Sequence, residues 1–159
     1  MPSFWFGTSI RDMFQREATQ AWDLDGDTIK ITLIDAGYTP DKDHDFADDF
    51  VSSTNECNVT GYTRGFGGTL RKALASKAVT YETTPNYAVF DAADITWTAI
   101  GGATNDTIAT AVVLKEITND AASPMLLQLD VSPDVTTNGG DFTIQFAAVA
   151  SGGIGYVAT

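Results

Sequence analysis

The chain has little of the chemistry that catalytic and metal sites most often use. Its 159 residues include one cysteine, Cys57, and one histidine, His44. A single cysteine excludes an intrachain disulfide, and a single histidine excludes zinc sites built from three histidines or from one histidine and two cysteines. The neighbours of Cys57 carry no basic group that would lower its pKa, so we interpret it as an unreactive small side chain.

Basic residues are scarce as well. The chain has nine Lys and Arg against 21 Asp and Glu, which gives a net charge of −12. Because clustered basic side chains hold nucleic acids and anionic membranes, this balance argues against both as partners. An acidic surface keeps a protein soluble at high copy number, or suits a basic patch on a partner.

Long apolar runs are absent too. No run approaches the ~20 residues of a membrane span, and the segment Met1–Phe6 has neither the basic region nor the apolar core of a signal peptide. The hydrophobic content of 43% is enough for a packed core, and the length fits one domain. We therefore expect a single soluble domain, assembled in a reducing cytoplasm.

The pattern of apolar, β-branched and turn-forming residues predicts a mainly β domain after one helix. A cap at Thr8 or Ser9 and an apolar stripe predict an amphipathic helix to about Gln20. Trp97 shares a strand face with Ile95 and Ala99 and is expected in the core. Strands are predicted at about 28–34, 70–81, 87–90, 94–100, 107–117, 125–131 and 141–149, and a short helix at 43–51.

This order of elements predicts a β-sandwich or a jelly-roll-like fold. An aromatic arm at residues 1–8 precedes the single β-rich domain at 9–150. Residues 151–159 are expected to form either a last edge strand or a flexible tail.

Two aspartate clusters, Asp23–Asp27 and Asp41–Asp45, look like calcium loops at first sight. An EF-hand loop needs Gly at its sixth position and Glu at its twelfth, and neither cluster has either residue there. We interpret both clusters as turn and helix-start chemistry, and a calcium site of another type stays open. No Gly-x-Ser-x-Gly elbow accompanies His44 either, so we predict no catalytic residue, no metal site and no cofactor.

The glycine-rich segment 61–68 is the most distinctive part of the chain. It does not match the glycine patterns of dinucleotide or nucleotide phosphate loops. It is interpreted either as a structural bend or as a contact loop. The aromatic arm has no regular element beside it that would bury its side chains, so we expect it to fold back on the domain or to contact a neighbouring subunit. The candidate interface residues are Phe4, Trp5, Phe6, Tyr62, Arg64 and Phe66.

Four short segments spread along residues 10–147 resemble those of a family of small virion proteins of tailed bacteriophages, in the same order. These segments are Asp27-Thr28-Ile29-Lys30, His44-Asp45-Phe46, Ala93-Asp94-Ile95-Thr96-Trp97 and Asn138-Gly139-Gly140-Asp141. No one of them is specific alone, and the resemblance does not extend to residues 1–7 or 148–159.

The resemblance implies a structural component of a virion without enzymatic activity, assembled in the host bacterial cytoplasm. A capsid decoration (cement) protein that binds the major capsid protein, or another virion protein, is the first expectation, with self-association into a homo-oligomer. A tail, neck or fibre-associated component is the alternative within this class. A carbohydrate- or calcium-binding β-sandwich module is the alternative outside it.

Overall fold

The structure is mainly β, as the sequence predicts. The computed structural model describes residues 3–7, 22–50, 55–83, 87–148 and 153–158. Two short 3-10 turns, Ala47–Asp49 and Asp120–Ala122, accompany ten strands in these ranges. The strands are β1 (Phe4–Trp5), β2 (Ile29–Asp35), β3 (Lys72–Ala73), β4 (Ala78–Glu82), β5 (Tyr87–Asp91), β6 (Ile95–Trp97), β7 (Thr107–Lys115), β8 (Met125–Thr136), β9 (Phe142–Ile144) and β10 (Gly155–Ala158).

The strands form three antiparallel sheets. The largest has five strands in the order β1-β8-β7-β2-β3, a second has the order β10-β5-β4, and the third pairs β6 with β9. Strands β7 and β8 are neighbours in sequence and pair along most of their length, so they are central to the large sheet. The C-terminal segment lies at the edge of the second sheet, where β10 pairs with β5.

The central strands β2 and β7 of the five-stranded sheet are buried on both faces, which explains why β7 is apolar along almost its whole length. A row of directly opposed residues from Trp5 through Leu127 and Val113 to Ile31 packs into one cluster of buried side chains. Val112 lies on the opposite face and joins a second cluster with Tyr38 and Phe50. The sheet thus separates two apolar cores.

The first core draws side chains from all three sheets. Ile31 of β2, Phe90 of β5 and Trp97 of β6 belong to it. Trp97 is completely buried, which confirms its predicted place in the core, and its indole Nε1 donates to the carbonyl oxygen of Leu70 at 2.8 Å. A buried indole needs such a partner, so this bond helps to hold the segment that leads into β3.

The aromatic arm folds back on the domain, and the element that covers it is distant in the sequence. Phe4 and Trp5 form β1, which pairs with the edge of β8. Phe6 is completely buried in the second core, where its ring meets that of Phe4 edge to face at 5.4 Å. The partner strand lies more than 120 residues away in the sequence, so no local pattern reveals the pairing.

The predicted helices have different outcomes. The amphipathic helix predicted from Thr8 or Ser9 to about Gln20 lies outside the described residues. The helix predicted over 43–51 is a single 3-10 turn where the structure describes it, Ala47–Asp49. The carboxylate of Asp49 accepts from the backbone N–H groups of Asp45 and Phe46, and Ser123 supplies the acceptor for Ala47, so the turn is satisfied without further helix. Within the described ranges, no helix is long and apolar enough to cross a membrane.

Several predicted strands have different bounds. The strand predicted over 70–81 is divided into β3 and β4, because Ser76 between them has φ of 53° and the two parts join different sheets. The strand predicted over 94–100 ends at Trp97, since Ala99 has φ of 51°. Strand β8 continues to Thr136, five residues beyond the prediction, and β9 ends at Ile144, five residues short of it.

Candidate functional site

The glycine-rich segment forms a closed loop. Its base is held by a hydrogen bond from Leu70 N–H to the Thr63 carbonyl at 2.9 Å and by paired bonds between Thr63 and Thr69. Gly67 has φ of +69°, and at Gly68 a Cβ atom would overlap the Thr63 carbonyl oxygen. These glycines are therefore required by the course of the backbone, as the sequence pattern indicates.

Two buried carboxylates hold the backbone of this loop from below. Glu56, whose side chain is 3% exposed, accepts from the backbone N–H of Gly65. Glu116, at 7%, accepts from the backbone N–H of Gly67 at 3.0 Å. Carboxylates that accept backbone N–H groups form charge-assisted hydrogen bonds, which are stronger than neutral ones. The loop backbone is thus held at Gly65 and at Gly67, on either side of Phe66.

Arg71 joins these carboxylates into one network. Its fully buried guanidinium donates from Nε to Glu56 at 2.6 Å, and from one terminal nitrogen to Asp120 at 2.5 Å and to Glu116 at 3.3 Å. Lys30 on β2 makes a close ion pair with Glu116 from the other side. We call these five residues the ionic network; it contains three carboxylates and two cations.

The charges of the ionic network perturb one another. Burial acts to lower the pKa of Arg71, but hydrogen bonds to Glu56 and Asp120 outweigh it and raise that pKa. Burial likewise acts to raise the pKa of Glu116, whereas hydrogen bonds from Lys30 and Gly67 and the nearby charges lower it below its ordinary value. Arg71 and Glu116 are therefore held in their charged forms.

The loop presents an exposed apolar surface above the ionic network. Phe66 is 45% exposed, and Ile117, which follows β7, is 41% exposed. Phe66 precedes Gly67 and Ile117 follows Glu116, so the hydrogen bond from the Gly67 N–H to the Glu116 carboxylate links the two segments that carry these exposed residues. We call Phe66, Ile117 and the exposed Arg64 the loop surface. Exposed aromatic and arginine side chains of this kind are typical of protein interfaces.

The other predicted interface residues have structural contacts. Tyr62 is half-buried, and its hydroxyl donates to the carbonyl oxygen of Thr98 at 2.9 Å. The ammonium of Lys72 lies over the Tyr62 ring, 5.5 Å from the ring centroid. Arg64 remains exposed and donates to the Glu56 carbonyl at 3.3 Å. Phe4 and Trp5 are half-buried in β1, and the complete burial of Phe6 makes its side chain unavailable to a partner, which corrects its prediction as an interface residue.

The aspartate clusters form turns. Asp23 accepts from the backbone N–H of Gly26 at 3.1 Å, and Asp41 accepts from that of Asp43 at 3.0 Å. Asp27 pairs with Lys115 at 2.6 Å. His44 Nδ1 lies 2.6 Å from the Tyr38 hydroxyl. Across the described ranges, no group of three or more His, Cys, Asp or Glu side chains is arranged to hold a metal ion.

Sequence reasoning missed the ionic network. Glu56, Arg71 and Glu116 come from separate segments, and each looks like an ordinary surface charge in its local context. One weak indication was present, because Arg71 directly follows an apolar residue at the end of a glycine-rich bend. The pairing of β2 with β3 and β7, together with the bridge between Ile34 and Glu56, brings the charges together.

Comparisons with models of protein families, with curated proteins and with solved structures find no match to this chain.

Proposed function

We propose that this protein is a non-enzymatic structural protein of a tailed-bacteriophage virion, a capsid decoration protein that binds the major capsid shell through the loop surface. The proposal rests on the resemblance of the four sequence segments and on one structural observation. That observation is the exposure of Phe66 on a loop whose backbone is held by two buried carboxylates.

A fixed loop is suited to binding because its conformation is set before the partner arrives. Ordering a flexible loop on association costs free energy, and a loop held by Glu56 and Glu116 avoids much of that cost. Transfer of the exposed side chains of Phe66 and Ile117 from water into the interface then contributes favourable free energy to binding. A small surface of this kind becomes sufficient when many copies bind a symmetric shell.

The charge of the body supports the same proposal. A net charge of −12 keeps a protein soluble at the high copy number that a shell requires. The loop surface itself carries the exposed Arg64, so the contact region differs in charge from the acidic remainder. We propose the virion as the location of the assembled protein.

The proposal includes a β-sandwich body. The first core contains side chains from the five-stranded sheet, from β5 of the second sheet and from β6 of the third, which is the arrangement expected where sheets pack face to face. A rigid body of packed sheets is a suitable support for a contact loop.

Incorporation into particles tests this function. Phages that encode the wild-type chain or the double variant Phe66→Ser/Ile117→Ser are grown, and purified particles are analysed by mass spectrometry and by image reconstruction. We expect the wild-type chain on the outer face of the head and a strong loss of the variant from particles. The matched control is Val135→Ser, an exposed apolar residue on β8, which is 37% exposed and should be incorporated normally.

Other locations give distinct results. Density for the chain on the tail, neck or fibres contradicts the decoration role and supports the alternative virion role. Absence of the wild-type chain from purified particles contradicts both. Thermal melts of each variant show whether a loss of incorporation comes from the contact or from unfolding.

A further inference from the structure

Strand β4 has one edge without a partner strand in the ranges that the structure describes. It is the last strand of the second sheet and pairs with β5 in an unbroken register, from Ala78 opposite Asp91 to Glu82 opposite Tyr87. An edge of this kind presents backbone N–H and C=O groups that another strand can bind.

The edge strand also exposes apolar side chains. Its residues alternate in burial, and Val79 and Tyr81 are 47% and 57% exposed, the highest values among the large apolar side chains of the described residues. Edge strands are ordinarily protected by proline, by a bulge or by a lysine in the middle of the strand. Residues 78–82 have none of these features.

We propose that β4 pairs antiparallel with β4 of a second copy of this chain, around a twofold axis at Thr80. In this register Val79 of each copy lies directly opposite Tyr81 of the other, so the two most exposed apolar residues of the strand cover each other. An aromatic residue opposite a β-branched one is a favourable cross-strand pair. The interface specifies the self-association expected from the sequence, and it requires neither the loop surface nor the virion role.

The local charge also favours a second copy. Two chains of net charge −12 repel each other over most of their surfaces. The segment 77–83 is different, because it carries one positive residue, Lys77, and one negative residue, Glu82. Since this segment is neutral, it adds no like-charge repulsion of its own where two copies meet.

Sedimentation of the full chain over a range of micromolar concentrations tests the proposal. We expect the mass to rise with concentration from 16.9 kDa towards twice that value. The variant Val79→Lys/Tyr81→Lys places like charges opposite each other at both pairs and should remain monomeric. The variant Val79→Lys/Tyr81→Glu places opposite charges there and should dimerise again, which reports on the register itself.

The control variant Val135→Lys adds a charge at another exposed apolar position and should dimerise as the wild type does. A wild-type chain that stays monomeric at every concentration overturns the proposal, as does a double-lysine variant that dimerises normally. Hydrogen exchange of the wild-type chain gives a second measurement that needs no variant. The backbone amides of residues 78–82 should become more protected at high concentration, and unchanged protection contradicts the interface.

Discussion

At the scale of single residues, Glu116 connects the interior to the loop surface. Its side chain holds Gly67 on one side and the cations Lys30 and Arg71 on the other. A carboxylate in this position has two effects. It fixes the backbone beside Phe66, and it neutralises the largely buried charges of Lys30 and Arg71. Replacing it therefore affects both stability and the geometry of the loop.

The pKa of Glu116 gives a prediction for the dependence of stability on pH. Because this pKa is lower in the folded chain than its ordinary value of 4.5, the ionised form stabilises the fold above that pH. The contribution is lost as the pH falls through the folded value. Glu116→Gln should lower the free energy of unfolding by about 1–3 kcal/mol at pH 7, and the difference from wild type should shrink below pH 4.5.

Urea unfolding of both proteins between pH 7 and pH 3 measures this difference. The control is Asp134→Asn, an exposed acid on β8, which should change the free energy of unfolding by less than about 0.5 kcal/mol at any pH. A difference for Glu116→Gln that stays constant down to pH 3 would show that its ionisation does not stabilise the fold.

At the scale of elements, β1 is short but well anchored. Its two residues add an edge to the five-stranded sheet, the following Phe6 donates its backbone N–H to Leu126 at 3.1 Å, and the preceding Ser3 accepts from Asp130 N–H at 2.9 Å. The completely buried ring of Phe6 then fills part of the second core. The arm therefore contributes to folding, in contrast to a free tail that acts only in assembly.

Substitutions of Phe6 and of Phe66 distinguish a role in folding from a role in assembly. Phe6→Ala should reduce the free energy of unfolding by about 3–5 kcal/mol, because it leaves a cavity in a packed core. Phe66→Ala removes a ring that is 45% exposed and should change it by no more than about 0.5 kcal/mol. Chemical denaturation of the two variants measures both values. Equal small effects would place Phe6 outside the core and restore the arm as a contact segment.

At the scale of the whole molecule, the net charge of −12 acts on every folded copy. Compact folding brings these charges together, and salt weakens their repulsion as the Debye length falls from ~30 Å at 0.01 M to ~8 Å at 0.15 M. We expect the melting temperature at pH 7 to rise by about 2–4 °C over this range of sodium chloride. Calorimetry at low protein concentration measures the shift, and a fall in melting temperature would mean that screened ion pairs outweigh the general repulsion.

The sequence predicts the strands far better than it predicts how they meet. Strands β2 and β7 follow from runs of β-branched and apolar residues, because such runs are favourable on a buried sheet. The pairing of β1 with β8 has no such signature, since it depends on partners distant in the chain. The ends of β3 and β6 depend on positive φ at Ser76 and Ala99, residue types for which this conformation is uncommon.

The candidate site is likewise predicted only in part from the sequence. The glycine pattern of 61–68 predicts a loop, and Arg64 and Phe66 are exposed on it as expected. Glu56 and Glu116, which fix that loop, are not predicted, because a charged residue that is buried and paired in the folded chain looks the same in sequence as one at the surface. Ile117 is not predicted for a related reason. The segment that carries it is linked to the loop only through the hydrogen bond between Gly67 and the Glu116 side chain, which the sequence does not show.

The burial of Cys57 has a practical consequence for studying this fold. Its thiol is 1% exposed, and burial together with the charges of Asp106 and Asp35 raises its pKa, so the reactive thiolate is scarce while the chain is folded. Because the chain contains no other cysteine, a maleimide reagent reacts only when the region around β2 opens. The rate of that reaction therefore measures local opening in the unmodified protein. A cysteine introduced at a surface position can also be labelled selectively, because Cys57 does not react while the chain is folded.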